Sequence, residues 1–173
     1  LKCNLLCPFC MYKASPDSKI ILDIKKTINF ISTIDFSRIN AIGFYGGEVS
    51  VDYDRYQKFI DLVPQNIVKF TITNGTWSIN ERETKKFIDF ALKNKLQVFV
   101  SATKFHKLFQ NEKLLKKVAK KYKFVLKSED RIIPMGRAKK KNWTCSKKCL
   151  NYICPMRLTL HPSGDIMFCN CDG

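Results

Sequence analysis

Three shortages narrow what this chain can be. No stretch of its 173 residues approaches the ~20 consecutive apolar residues that a membrane-spanning helix needs. The N-terminus lacks the charged-then-apolar pattern of an export signal. Together these lead us to expect a soluble, cytoplasmic protein with no membrane partner. Histidine is nearly missing, with only His106 and His161, and neither lies near the first cysteines. Cysteine is missing from the 134 residues between Met11 and Thr144, although the chain has eight in all. Without a secretion signal those eight argue against a disulfide framework and for metal or redox chemistry, because the cytosol keeps thiols reduced. Leu1 stands where a methionine would open a complete chain, and Gly173 directly follows a cysteine cluster, so we expect that one or both natural ends lie beyond this sequence.

What is abundant is positive charge. Thirty-one Lys and Arg against 15 Asp and Glu give a net charge of +16, a balance that suits nucleic acid or another polyanion. Lysine far outnumbers arginine, however, and accompanies much Ile, Asn and Phe. An AT-rich coding sequence produces the same composition, and nucleic-acid readers lean on arginine for bidentate contacts. The runs Lys139 to Lys141 and Lys147 to Lys148 read as a solvated loop.

Between the cysteine clusters, helical and strand patterns alternate. Ile24 to Ile34, Asp52 to Val63, Asn80 to Lys93 and Glu112 to Lys121 carry apolar residues at helical spacing. Ile39 to Tyr45 reads as a short buried strand, and Phe70 to Thr73, Val98 to Ser101 and Phe124 to Lys127 read as further strands, with Arg131 to Pro134 as another candidate. Strands separated by helices of this length imply right-handed crossovers and a parallel sheet, hence the α/β class. In such sheets the working residues gather at the carboxyl ends of strands. Gly46-Gly47-Glu48, Thr73-Asn74-Gly75, Ser101-Ala102-Thr103 and Pro134-Met135-Gly136-Arg137 all fall there.

Cys3, Cys7 and Cys10 share one short loop in a C-x3-C-x2-C spacing. Three thiolates so close can hold three irons of a cubane cluster and leave the fourth without a protein ligand. A structural zinc site would want four protein ligands, and no fourth cysteine or histidine lies nearby. A more distant residue remains the alternative.

This loop, with Phe9 as its aromatic, resembles the signature of the radical S-adenosylmethionine (SAM) enzymes, and Gly46-Gly47-Glu48 is similar to the GGE motif of that superfamily. The resemblance implies a 4Fe-4S cluster on Cys3, Cys7 and Cys10. SAM would chelate the open iron, and its amino group would meet Glu48, with Gly46 and Gly47 admitting the backbone close to the ligand. It further implies reductive cleavage of SAM to a 5'-deoxyadenosyl radical, an electron donor, and hydrogen abstraction from a substrate. Phe9 would present an apolar face near the adenine. Asn74 and Ser101 match polar positions that contact the ribose or carboxylate, against the alternative of turn chemistry. Arg137 matches a loop in which it would hold a carboxylate, against the alternative of capping a strand end. No general base is assigned: relatives carry an acidic residue near Thr103, and His106 reads as structural.

The spacing Cys154, nine residues, Gly164, four residues, Cys169 resembles the SPASM and twitch extensions of the same superfamily. Leu158 to Leu160 and Asp165 to Phe168 flank His161-Pro162-Ser163-Gly164 and predict a β-hairpin. The resemblance implies an auxiliary iron-sulfur cluster on Cys149, Cys154 and Cys169, with Cys145 or Cys171 as fourth ligand. Zinc is the alternative metal for that set. Asn170 replaces an aspartate that acts as a base in some relatives, and Asp172 is not assigned the role.

The reading is a partial parallel (β/α) barrel over residues 1–138, followed by a cysteine-rich β-hairpin extension over 139–173. Since SPASM and twitch relatives often modify peptides or proteins, a peptide is the expected substrate. The competing reading is a non-catalytic zinc or iron-sulfur module whose basic surface binds nucleic acid.

Overall fold

The computed structural model describes residues 1–128, Arg137, and the backbone of Thr159–Leu160 and Ile166–Met167. It divides into two units, Leu1–Asn29 with Arg131–Gly173, and Phe30–Asp130.

The second unit is built on four parallel strands, β1 (Ala41–Phe44), β2 (Val68–Thr73), β3 (Gln97–Ser101) and β4 (Val125–Lys127), hydrogen-bonded in sequence order. Gly43 pairs with Phe70, Ile72 with Phe99, and Ser101 with Lys127. Helix α1 (Ile24–Ser32) precedes β1, α2 (Tyr53–Ile60) and α3 (Glu81–Lys93) follow β1 and β2, and the short α4 (Lys104–Lys107) and α5 (Glu112–Tyr122) lie between β3 and β4. This is the α/β alternation that the sequence implies.

Each longer helix of this series starts where a side chain can satisfy a backbone N–H that the helix leaves open. Asp52 accepts from the Arg55 N–H, Asn80 from Glu83 and Asn111 from Leu114, and each such cap contributes about 1 kcal/mol. Helix α5 stops at Lys123, which takes the left-handed conformation at φ 58. Helix α2 ends three residues short of the predicted Val63: Leu62 and Val63 close as turns ahead of Pro64, which disfavours helical backbone before it. Helix α1 likewise ends at Ser32, where the Thr33 hydroxyl bonds back to the Phe30 carbonyl. The strand predicted at Arg131 to Pro134 lies outside the described residues.

The two faces of the sheet differ. On one, Phe44, Thr71, Thr73, Val98 and Val100 are buried. Beyond β2, Trp77 stacks on Phe87 at 4.2 Å with 3° between planes, and Phe124 meets both edge-on. These rings join the β2–α3 connection, α3 and the start of β4 in one aromatic cluster. The opposite face is open: Val68, Ile72 and Val125 are 43%, 39% and 42% exposed. There Tyr45 stacks on Phe70, which meets Phe99 edge-on, and the Lys127 ammonium sits 5.5 Å from the Phe99 ring. A parallel sheet is ordinarily covered on both faces, so this half-exposed aromatic row is an unusual surface. Gly43 makes it fit. A Cβ there would lie 2.4 Å from the Phe70 ring and 2.5 Å from Tyr45.

In the first unit, the cysteine loop is closed by a parallel bridge between Lys2 and Ser15. The Cys3 N–H donates to the Ser15 carbonyl, and the Ser15 N–H to that of Leu1. Strands β5 (Thr159–Leu160) and β6 (Ile166–Met167) pair antiparallel, Thr159 with Met167 and Leu160 with Ile166; the predicted turn between them lies outside the described residues. Cys145, Cys149, Cys154, Cys169 and Cys171 lie outside the described residues. Among the described residues no helix is long and apolar enough to cross a membrane.

Candidate metal and cofactor site

The cysteine loop turns tightly between its second and third thiols. The Cys10 N–H donates to the Cys7 carbonyl at 3.2 Å, and the Lys13 N–H to the Cys10 carbonyl. At the first thiol, the Leu5 N–H lies 3.5 Å from the Cys3 sulfur, the kind of N–H···S contact that stabilises a thiolate. Cys3 and Cys7 are buried, Cys10 is half-buried, and none of the three is in a disulfide. Burial, followed by the charges of Cys10 and Cys3, pushes the Cys7 thiol up to about 12, against a smaller lowering by Arg137. The three thiols lie on one short loop, with Cys7 and Cys10 joined by its tight turn, and a cationic metal would offset the negative charge of their thiolates.

Arg137 holds this loop together. Its Nε donates to the Cys7 carbonyl at 2.8 Å, its guanidinium also donates to the Ala14 carbonyl, and its N–H donates to the Cys10 carbonyl. The sequence offered it two roles, gripping a ligand carboxylate or capping a strand end. The structure shows the rigid guanidinium fork joining two points of the cysteine loop.

The chemistry of the donor set suits an iron-sulfur cluster: three soft sulfur ligands on one short loop, two of them buried. Among the described residues no three His, Cys, Asp or Glu side chains are drawn around a single-ion position. A cluster, by contrast, spreads its thiolates over separate irons.

In the sheet unit, Glu48 follows β1 and is 2% exposed. Its Oε1 accepts from the Ser50 N–H at 3.2 Å, the Ser50 hydroxyl at 2.9 Å and the Thr73 hydroxyl at 2.7 Å. Its Oε2 accepts from the Asn74 N–H at 2.7 Å. The carboxylate thus ties the end of β1 to the end of β2. Burial raises its pKa from the ordinary value, and the bonds from Asn74, Thr73 and Ser50 oppose that rise. Three donors crowd Oε1 whereas Oε2 has one, so Oε2 keeps the greater capacity for a further donor such as an ammonium. Gly46, at φ 111, provides the backbone turn that only glycine adopts readily. Gly47 is half-buried beside it.

Asn74 is buried, and its Oδ1 accepts from the Thr76 N–H and hydroxyl, so the turn chemistry weighed for it is present. Ser101 ends β3, half-buried. Phe9 is half-buried in the cysteine loop. His106 is buried, with Nδ1 2.8 Å from the Thr103 hydroxyl, in keeping with a structural role.

Two residues escaped the sequence reading. Gln110 Nε2 donates to the carbonyls of both Asn74 and Ser101, each at 2.7 Å. It staples the carboxyl ends of β2 and β3, and its Oε1 is buried with no partner among the described residues. Gly75, at φ 72, makes room for it, since a Cβ there would lie 2.7 Å from Gln110 Nε2. Tyr53 is the second. Its hydroxyl is likewise buried and unpartnered among the described residues, its ring packs on Phe90 at 4.8 Å, and burial and the Glu48 charge raise its pKa. Neither follows a strand in a recognisable motif. A lone glutamine before the Asn111 cap was the only signal for Gln110.

No family model matches the chain. It is 25% identical over 122 residues to YydG of Bacillus subtilis (strain 168), a protein named for peptide biosynthesis. The matched stretch takes in 68% of this chain and 38% of that protein, so the chain spans well under two thirds of the relative's length.

Proposed function

We propose that this chain is the catalytic part of a radical SAM enzyme that modifies a peptide. The observation that carries the reading is the cysteine loop. Cys3, Cys7 and Cys10 share one short loop that Arg137 holds through the Cys7, Ala14 and Cys10 carbonyls, and in the sheet unit the strand-end Glu48 has capacity for a ligand ammonium. The likeness to a protein named for peptide biosynthesis supports a peptide as the substrate class.

When bound, a reduced 4Fe-4S cluster would supply the electron that splits SAM into methionine and a 5'-deoxyadenosyl radical, which takes a hydrogen atom from the substrate. The chain's own residues do the rest. Cys3, Cys7 and Cys10 would hold the cluster, and Arg137 fixes the loop carbonyls so that the thiols stay aligned. Glu48 would receive the SAM amino group on Oε2, flanked by Gly46 and Gly47. Phe9, Asn74 and Ser101 would border the nucleoside. The four parallel strands would form an arc of a partial barrel, and Cys145, Cys149, Cys154, Cys169 and Cys171 would supply an auxiliary cluster beside the β5–β6 hairpin. The enzyme would work in the cytoplasm with a reducing electron donor.

The test is anaerobic reconstitution with iron and sulfide, reduction with dithionite in the presence of SAM, and chromatography for 5'-deoxyadenosine. Wild type should form it and Cys7→Ala should not. Absence of product from wild type with a verified, reducible cluster would reject the reading.

A further inference from the structure

Helix α5 exposes a band of lysines that the described protein scarcely balances. Lys113, Lys116, Lys117, Lys120 and Lys121 are all exposed, and residues three and four apart are neighbours on a helix surface. They therefore form one continuous stripe, opposite the buried Leu115, Val118 and Ala119. Among the described residues only Lys116 has an acidic partner, Glu112 at 2.6 Å. Lys113 and Lys117, Lys116 and Lys120, and Lys117 and Lys121 place like charges four residues apart, which weakens a helix. Lys120 and Lys121 suit the negative end of the helix dipole, but Lys113 sits in the first turn, where a cation is disfavoured.

Helix α3 shows that this imbalance is local. There Lys85 meets Asp89 at 2.6 Å, Lys86 meets Glu83 at 3.3 Å, and Glu81 and Glu83 occupy the first turn. A coding bias toward lysine would act on both helices alike and does not explain why one is neutralised and the other is not. Residues 104–127 hold nine lysines against one glutamate, a formal +8 that is half the net charge of the whole chain.

We propose that the α5 stripe is a docking surface for an acidic segment of the peptide substrate. The choice of a peptide rests on the peptide-modifying reading above. Lys113 to Lys121 spans about 12 Å at ~1.5 Å per residue, the reach of roughly four residues of extended chain. The stripe has no arginine to fork onto phosphates or read base edges. No exposed aromatic lies among its lysines to stack bases, Tyr122 being half-buried beside Lys121. The apolar side of α5 is turned into the core, leaving nothing to enter a bilayer.

The test is fluorescence anisotropy of a labelled hexaglutamate peptide on the full chain. Wild type is compared with Lys113→Gln/Lys117→Gln/Lys120→Gln on α5 and with Lys85→Gln/Lys86→Gln/Lys93→Gln on α3, which removes the same charge elsewhere. All six sites are exposed and glutamine is a good helix former, so both variants should fold, as circular dichroism will verify. The α5 variant should bind roughly tenfold more weakly and the α3 variant less than about twofold, with wild-type affinity falling as salt rises. Equal losses in both variants, or none in the α5 variant, would overturn the proposal. So would an oligothymidylate of matched charge displacing the peptide, which would give the stripe to nucleic acid instead. Selective peptide binding by a wild type unable to cleave SAM would reject the enzyme reading and keep the surface. SAM cleavage without selective binding would do the reverse.

Discussion

Glutamine at position 48 would keep an acceptor for Ser50 and Thr73 but turn an NH2 group toward the Asn74 N–H, setting donor against donor. Glu48→Gln should therefore lower stability by about 1–3 kcal/mol in urea unfolding at neutral pH. The carboxylate also sets a pH dependence. Its folded-state pKa is raised above the ordinary 4.5 by burial, so the folded chain holds the proton more tightly than the unfolded one. The stability this contributes is full below the ordinary value and is lost as pH rises through the folded one. The variant, with no proton to lose, should lack that decline. Tyr53 gives the opposite prediction: its buried hydroxyl has no partner among the described residues, so Tyr53→Phe should raise stability by up to about 1 kcal/mol. If the phenol contacts a bound ligand, ligand affinity should fall while the melting temperature rises. At this scale the sequence displayed the candidate residues but not their bonds. Cys3, Cys7, Cys10 and Glu48 declare themselves by spacing, whereas Arg137 reaching back across 130 positions to Cys7, and Gln110 joining two strand ends, depend on tertiary approach that no local pattern encodes.

Among the elements, β1 and β2 are joined by a contact that leaves no room for a side chain. Gly43→Val would drive two methyl groups into the Phe70 and Tyr45 rings, and overpacking of this kind costs about 1–3 kcal/mol. A fall in the urea midpoint with an unchanged m-value would verify it. Every described strand and every longer helix was visible in the sequence pattern, because α3 and α5 bury one stripe and the strands are short β-rich runs bounded by turns; the four-residue α4 was not, being too short to show a period. Boundaries were less visible: Val63 belongs to the apolar pattern of α2 but precedes Pro64, and Val68 continues β2 below Phe70 only because β1 is there to pair with it. The asymmetry of the sheet was not visible at all. Phe70 and Phe99, read only as strand residues, line the half-exposed face.

For the molecule as a whole, the account rests on a thiol loop that arrives early in the chain and is secured late in it. Arg137→Lys keeps the charge but cannot span the Cys7 and Ala14 carbonyls with one planar group. Iron bound after reconstitution should fall by about half or more with the far-UV circular dichroism unchanged, since supporting contacts around metal ligands commonly govern affinity. Retention of full iron would show that the loop aligns its thiols without the arginine.

The central claim is that Cys3, Cys7 and Cys10 leave one iron of a cluster open to SAM. Its most direct test is electron paramagnetic resonance of the reduced protein with Cys145, Cys149, Cys154, Cys169 and Cys171 replaced by serine, recorded with and without SAM. The account predicts a reduced 4Fe-4S signal whose shape and g-values change when SAM is added. An identical signal in both samples, or no cluster signal at all from a folded protein with the N-terminal thiols intact, would contradict it.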